Sequence, residues 1–461
     1  GFHGRDAQTY HRIARRYPNY LIVKSAGTDR GEGPSPGTEH FVWENGDWQA
    51  STSIRPKDGG EDGFDSMGPT GTAKNILTVG AVRDMPLGYT GRENVMITSY
   101  SAFGPTDDGR IKPDLVANGD RLFSTYSGSD TDYRNSSGTS MSAPNATGSL
   151  ALIQEHHMDL HEGYLTSASL KGLVLHTADD AGEPGPDYKF GWGLLNTLSA
   201  IELISDDQYD RVQETRLSEG EEFRIRLYSN GSEAIKVSIC WTDPEGIVPG
   251  PGLNPRNRIL VNDLDLRLVR LIDGQEIRPY VLDPLHPGNA AIRGDNVLDN
   301  MEQIYAKAPL KGFYEVIVTH KEELSGGVQN FSLIVSGLTD EYFASGVTEL
   351  KDNNGEFRLT SAPEYLPDMD AEWIIEPDNQ LPVKLYFDYF STEADSDVLY
   401  IFDGTDETAP LLAQLDGSLD PDTLEFSSSS GQLFVRFLSD DQNQEQGFRA
   451  VYCTTAPEDT A

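Results

Sequence analysis

The chain has 461 residues, too many for one ordinary core, so two or three domains are expected. Its formal net charge of -38 excludes a nucleic-acid-binding surface, describes a soluble, self-repelling one, and also suits calcium sites. No run reaches the roughly 20 apolar residues of a membrane-spanning helix, and the only cysteines, Cys240 and Cys453, lie too far apart to form a disulfide framework.

In chain order, Tyr10 to Tyr17 sets Ile13 and Ala14 among basic residues and predicts an amphipathic helix. His11 is placed on its solvated or half-buried face, and His3, ahead of it, in a surface loop. Leu21-Ile22-Val23-Lys24-Ser25-Ala26-Gly27 follows, then Thr28. Between Thr28 and Pro69 lies an insertion with His40, Phe41, Trp43 and Trp48 and the acidic Glu61, Asp62 and Asp65. It reads as a surface loop packed by its own aromatics or as a wall of a substrate pocket. Next come Pro69 to Val82, Ser99 to Thr106 and Asp108 to Ala117.

Ser137-Gly138-Thr139-Ser140-Met141-Ser142-Ala143-Pro144 then leads into the small-residue, apolar run Asn145 to Ile153. A serine between a tight Gly turn and a Pro at the first turn of a helix has its hydroxyl at a helix N-terminus. Backbone N–H groups point outward there and can stabilise the oxyanion formed when that hydroxyl attacks a carbonyl. Taken alone, the same pattern also describes an N-cap serine before a core helix. Gly191-Trp192-Gly193-Leu194-Leu195-Asn196 closes this region.

From about Asp206 the pattern changes to short alternating strands, including Phe223 to Tyr228, Ile235 to Trp241, Leu264 to Val269, Phe313 to Val318 and Phe331 to Val335. Turn residues punctuate them, which predicts an antiparallel β-sandwich. After Thr339-Asp340-Glu341 a third pattern begins, with Ala371 to Pro377, Val383 to Phe390, Asp397 to Gly404, Phe434 to Asp440 and Gly447 to Tyr452.

The five ordered motifs of the first 200 or so residues resemble the subtilisin-like serine proteases. The resemblance implies a multidomain chain: the C-terminal part of an α/β three-layer subtilisin-like domain with a parallel sheet (1–204), then two antiparallel β-sandwich or jelly-roll domains (205–340 and 341–461). It implies Ser140 as nucleophile, and Ser25, Ala26 and Gly27 as one wall of the pocket for the residue before the scissile bond. Thr28 stands where the family carries an oxyanion Asn, and a one-residue slip would place Asp29 there. Losing one such donor costs roughly 2.7 to 4 kcal/mol of transition-state stabilisation. The family's base is a His in a His-Gly-Thr context, oriented by an upstream Asp. None of the nine His residues fits, since His3, the only one followed by Gly, lies too close to Thr28. The triad Asp and His are therefore expected upstream of Gly1, on a companion N-terminal fragment of the same protein.

The second region resembles the jelly-roll domain that follows the catalytic domain in a subset of alkaline bacterial subtilases, through Cys240 to Pro244, Leu260 to Leu266, Asn300 to Gln303 and Ala308-Pro309. Asn262, Asp263 and Asp265 offer the oxygen ligands a calcium ion takes, with Asp295 and Asp299 as further candidates. On a strand, Asp263 and Asp265 share a face and Asn262 points the other way, which also describes a polar strand edge. The third region resembles a CUB domain without its usual disulfides. There the resemblance implies calcium at Glu393, Asp397 and Asp440; a merely acidic loop is the alternative.

These readings predict a secreted, bacterial-type serine endopeptidase with structural calcium, acting on protein or peptide substrates through an acyl-enzyme on Ser140, with no nucleic-acid or membrane partner. The alternative is an extracellular binding protein whose protease domain is catalytically impaired.

Overall fold

In a computed structural model, helix α1 (Arg5–Arg16) precedes strands β1 (Val23–Ser25), β2 (His40–Glu44), β3 (Asp47–Ser51), β4 (Leu77–Val82), β5 (Leu115–Asn118), β6 (Leu122–Thr125) and β7 (Tyr133–Ser136). Helices α2 (Thr139–His161), α3 (Ser167–His176) and α4 (Thr197–Ser205) follow. The structure describes residues 1–54, 60, 62–161, 163–205, 211–229, 231–337, 347–359, 364–367 and 369–454. Glu61, the change of pattern near Asp206 and the boundary at Thr339-Asp340-Glu341 lie outside the described residues.

Strand β4 is buried at every position, as a central strand of a parallel sheet must be. It lies between β1 and β5 in the order β1-β4-β5, with Val23 opposite Leu77 and Val79 opposite Leu115, both pairs parallel. Helix α2 packs Ala143, Ala146, Leu150 and Ile153 into the core formed by Leu77, Val79 and Leu115. Helix α1 begins five residues earlier than the amphipathic pattern suggested and buries Ala7, His11 and Ala14.

The chain divides into two compact units. The first comprises Gly1–Arg224, Ala234–Pro309 and Val316–Gly337. Behind the parallel sheet, its β region carries a four-stranded antiparallel sheet in the order Met301–Ala306, Ile235–Trp241, Val328–Ser336, Val212–Ser218. Leu173 of α3, Cys240, Met301 and Ile334 belong to the same core as Leu77 and Leu115, so the α/β part and this sheet share one interior. Gly172 makes the close approach possible, because a Cβ there would lie 2.9 Å from that of Cys240. Lys74 anchors the seam: its buried ammonium pairs with Asp243 and donates to the carbonyls of Pro244 (2.9 Å) and Ile259 (2.7 Å).

The second unit comprises Ile225–Glu233, Leu310–Glu315 and Leu338–Ala461. It contains a five-stranded sheet (Val347–Leu350, Asp370–Ile375, Leu433–Leu438, Val398–Phe402, Leu411–Leu415) and a four-stranded sheet (Asn354–Arg358, Gly447–Thr454, Val383–Ser391, Glu425–Ser427). Phe448, fully buried, meets the rings of Phe357, Trp373, Phe387, Phe390 and Phe437 at centroid distances of 5.7 to 6.1 Å. Aromatic pairs of this kind contribute about 0.5–1.5 kcal/mol each beyond their buried area. Cys453 is a free thiol, so this core holds the two sheets together without a local disulfide.

Candidate functional site

Helix α2 starts at Thr139, so Ser140 sits in its first turn and Pro144 lies inside the helix rather than at its start. Gly138 makes this geometry possible: its φ of +151° suits glycine, and its N–H donates to the Gly119 carbonyl (2.8 Å). Gly119 must itself be glycine, since a Cβ there would lie 2.6 Å from that of Ala81 and 2.8 Å from the Gly138 oxygen. Met141 and Ser142 donate their N–H groups back to the Gly138 carbonyl, whereas the Ser140 N–H makes no backbone hydrogen bond among the described residues. The Ser140 side chain is exposed. The exposed Ser140 side chain and its own N–H donor thus share one helix end.

Strand β1 is brought to the same place. Ser25 pairs with Val79, the Ala26 N–H donates to the Val79 carbonyl (2.9 Å), and Ala102 donates to the Gly27 carbonyl (3.0 Å). The Gly27 N–H donates to the Thr139 hydroxyl (3.2 Å), tying this strand end to the residue beside Ser140. Thr139, which the sequence shows only as part of the serine motif, is 1% exposed and holds the end of β1 against the start of α2 through this contact. A Cβ built on Gly138 would lie 3.7 Å from both the Thr28 methyl and the Ser140 nitrogen, so Thr28 flanks the start of α2. Ser25, Gly27 and Thr28 are half-buried, Ala26 is buried and Asp29 is exposed.

The insertion after Thr28 folds in part as a β2–β3 hairpin, turned by Asn45 (φ +55°) and Gly46 (φ +82°). Trp43 and Trp48 pair edge to face at 5.2 Å, and Phe41 is 62% exposed. Asn-Gly between two short apolar runs is a hairpin signal that the sequence reading passed over.

Neither His3 nor His11 is solvated, which corrects the sequence expectation. Both are at most 1% exposed, their rings lie 4.8 Å apart, and His11 Nε2 accepts from the Lys74 N–H (2.7 Å). Burial first, then the positive charge of Arg110, pushes His3 down to about 3; burial and Lys74 also hold His11 well below its ordinary value. They are neutral packing groups. Among the described residues no histidine hydrogen-bonds Ser140, and His161 lies 21 residues along α2, some 30 Å away at 1.5 Å per residue.

Asp263 and Asp265 are brought together, but around the protein's own cations. Lys321 Nζ lies 2.7 Å from Asp265 and 3.8 Å from Asp263, Arg258 lies 3.3 Å from Asp263, and Arg267 lies 3.4 Å from Asp265. Asn262 is turned to Gln329 (2.8 Å). Asp295 pairs with Arg267, and Asp299 accepts from the Ile111 N–H (2.9 Å). The expected cation site at Asp263 and Asp265 is thus replaced by an ion-pair cluster.

Glu393, Asp397 and Asp440 converge without such partners. Each offers a carboxylate oxygen, these lie within 4.8 Å of one another, and no Lys or Arg pairs with them among the described residues. Tyr365 donates its hydroxyl to Asp397 (2.5 Å) and accepts from the Glu393 N–H (2.8 Å), while the Asp440 N–H donates to Asp397 (2.7 Å). Burial raises the Asp397 carboxyl, and the charges of Asp440 and Glu393 raise it further. Glu393 Oε2 is buried and has no partner. Three hard oxygen donors, one of them orphaned, fit calcium.

Comparison with known proteins gives these geometries a family. Residues 7–193 match the subtilase family and residues 345–452 match the CUB domain. The chain carries a subtilisin-like protease domain and a CUB domain. It is 27% identical over 252 residues to a serine protease/ABC transporter B family protein, tagA, of Dictyostelium discoideum, covering 47% of this chain and 14% of that one. It is 41% identical over 70 residues to an extracellular serine protease of Serratia marcescens, covering 15% of this chain and 6% of that one. The chain therefore spans only a small part of the length of these curated relatives. Among solved structures, the calcium-bound MASP-1 CUB2 domain matches with 20% identity and a TM-score of 0.21, over 23% of this chain and 97% of that one. Among the described residues of the subtilase and CUB chain, no helix is long and apolar enough to cross a membrane.

Proposed function

We propose that this chain is part of a secreted subtilisin-like endopeptidase in which Ser140 is the nucleophile. The observation that carries the reading is the exposed Ser140 hydroxyl at a helix end whose own N–H is unpaired, with Thr28 alongside. Ser140 Oγ attacks the peptide carbonyl and gives its proton to a histidine, and the Ser140 N–H and Thr28 hydroxyl face the oxyanion. The C–N bond then breaks, the amine leaves with that proton, and water hydrolyses the acyl-enzyme. Ser25, Ala26 and Gly27 line the pocket for the residue before the scissile bond.

The histidine and its aspartate are supplied by a segment of the same protein outside this sequence. The exposed face of α2 below Ser140 supports this, because Pro144, Thr147, Gly148, Ala151 and Leu152 form a small, uncharged surface that ends at Glu155. The edge position of β1, which has one neighbour in its sheet, supports it too. The three modules, 1–204, 205–340 and 341–461, then divide the work: catalysis, support of the catalytic domain, and a CUB module whose loops calcium ties together through Glu393, Asp397 and Asp440.

Thr28 and the lack of an imidazole beside Ser140 favour a second reading, an extracellular binding protein with an impaired protease domain. Fluorophosphonate labelling of the native protein, with the adduct located by peptide mass spectrometry, separates the two. An adduct on Ser140 is expected; a folded, unlabelled sample would overturn the protease reading. In untreated protein from a preparation that the probe shows to be reactive, Thr28→Asn should raise turnover by about 100-fold, the effect of one oxyanion donor.

A further inference from the structure

A cavity of about 780 Å³ opens within the first unit, between the end of the subtilase domain and the β-sheet behind it. It shares no residue with the Ser140 site, and its volume is in the range that holds ligands of a few hundred daltons. Its lining gathers four of the chain's 36 basic residues, in a protein of net charge -38. On the sheet side stand Lys236, Arg293 and Lys307. None pairs with a carboxylate among the described residues. Lys236 Nζ donates to the His176 carbonyl (2.7 Å) and lies 5.7 Å from the centre of the Tyr305 ring. The Arg293 guanidinium stacks 3.8 Å from the centre of the Tyr280 ring and donates to the Tyr305 carbonyl (2.5 Å). Lys307 is exposed and makes no side-chain hydrogen bond among the described residues.

The subtilase side brings Asp179, Asp180 and the exposed Glu202. Asp179 accepts from the Asn196 amide (3.1 and 3.2 Å), and Asp180 accepts from the Gly185 N–H (3.2 Å) with Arg92 3.9 Å away. Burial raises both carboxyls and lowers the Lys236 ammonium, and the attraction between Lys236 and the two carboxylates works against these shifts. His176 adds no charge, because its imidazole is buried between the Ser238 and Ser336 hydroxyls (both 2.8 Å) and held neutral by that burial. A bare anion would suit the sheet side and be repelled by the other; a guest with both charges answers both.

We propose that this cavity binds a short peptide with free ends, its carboxylate toward Lys236, Arg293 and Lys307, its ammonium toward Asp179 and Asp180, and an apolar side chain against Tyr305. The site is independent of whether Ser140 is active. The test is ligand-observed NMR or calorimetry on the full chain carrying Ser140→Ala, with the tripeptide Ala-Tyr-Ala, its C-terminal amide and its N-acetyl derivative. Free Ala-Tyr-Ala should bind, and blocking either end should weaken it by about tenfold, the worth of one hydrogen bond to a charged group. The Lys307 side chain has no ion pair or hydrogen bond among the described residues, so Lys307→Ala should weaken binding severalfold with an unchanged melting curve. Lys236→Met should weaken it more. Equal affinity for the three peptides, undiminished binding by Lys307→Ala, or no binding at millimolar peptide would each overturn the proposal.

Discussion

Two acidic clusters, one in each compact unit, look alike in sequence and differ in how the fold neutralises them. Asp263 and Asp265 enclose the ammonium of Lys321, with Arg258 and Arg267 at their flanks. Among the described residues Glu393, Asp397 and Asp440 meet only neutral donors, the Tyr365 hydroxyl, the Asn443 amide and backbone N–H groups; each cluster leaves one buried carboxylate oxygen without a hydrogen bond, Glu393 Oε2 here and Asp263 Oδ1 in the first, so cationic side chains are what distinguish them. Buried carboxylates need counter-charge in either case. The first cluster finds it in a side chain that arrives some 60 residues later in the chain, while the second leaves room for an ion from outside.

The sharpest way to break the comparison is to remove the internal cation. Lys321→Met should destabilise the first unit by about 3 kcal/mol, the low end of the range for orphaning one member of a buried pair, since Arg258 and Arg267 remain. Urea denaturation read through tryptophan fluorescence gives the number. If the ammonium is all that separates the clusters, added calcium should recover part of the first unit's loss in Lys321→Met and leave the first unit of the unaltered chain unchanged. A variant as stable as the parent would show that the carboxylates do not need Lys321.

Next in size is calcium at the other cluster. With free calcium at 100 times its dissociation constant, binding to the folded state alone adds about 2.7 kcal/mol. Chelation should lower the CUB unfolding transition accordingly, and Asp397→Asn should lower it to the same point and make it indifferent to calcium. An unchanged transition in chelator would remove the metal from Glu393, Asp397 and Asp440. Because burial and its acidic neighbours raise the Asp397 carboxyl, protons compete with the ion there, and calcium affinity should fall on acidification.

The contrast also marks where sequence stops being legible. Ser140 could be read because its geometry is local: Gly138, Thr139 and the start of α2 lie within a few residues. The parallel core could be read because β4 is apolar at every position but Thr78 and is buried throughout. His3 and His11 could not, since the groups around them include Lys74 and Arg110, which come from about 60 to 110 residues away. The role of Asp243 was hidden for the same reason, its partner being Lys74. Asp263 and Asp265 were legible as an acidic group and illegible as a pair of counter-ions, because nothing near them in sequence announces Lys321. The Asn45-Gly46 turn was local and readable, and the aromatic content of its flanks drew the reading toward a packed loop instead.

The smallest expected effect is the most discriminating between solvated and buried charge. Burial raises the Asp263 carboxyl from 3.8 to about 6, with Lys321 and Arg258 pulling the other way. A carboxyl raised in the folded state binds its proton more readily there than in the unfolded chain, so its contribution is fully present below 3.8 and is lost as pH rises through about 6. Asp263→Asn removes that titration. At neutral pH it should change stability by less than about 1 kcal/mol, because it deletes a desolvation cost together with an attraction. Its former partners can also reach water, since Lys321 and Arg258 are each 29% exposed. The observable is therefore the slope. Between pH 4 and pH 6, a window set by those two values, the parent should lose stability with rising pH more steeply than Asp263→Asn, measured as midpoints in urea. Parallel pH profiles would mean that Lys321 and Arg258 hold Asp263 ionised throughout, and the first cluster would then be a fully compensated ion pair rather than a buried acid under strain.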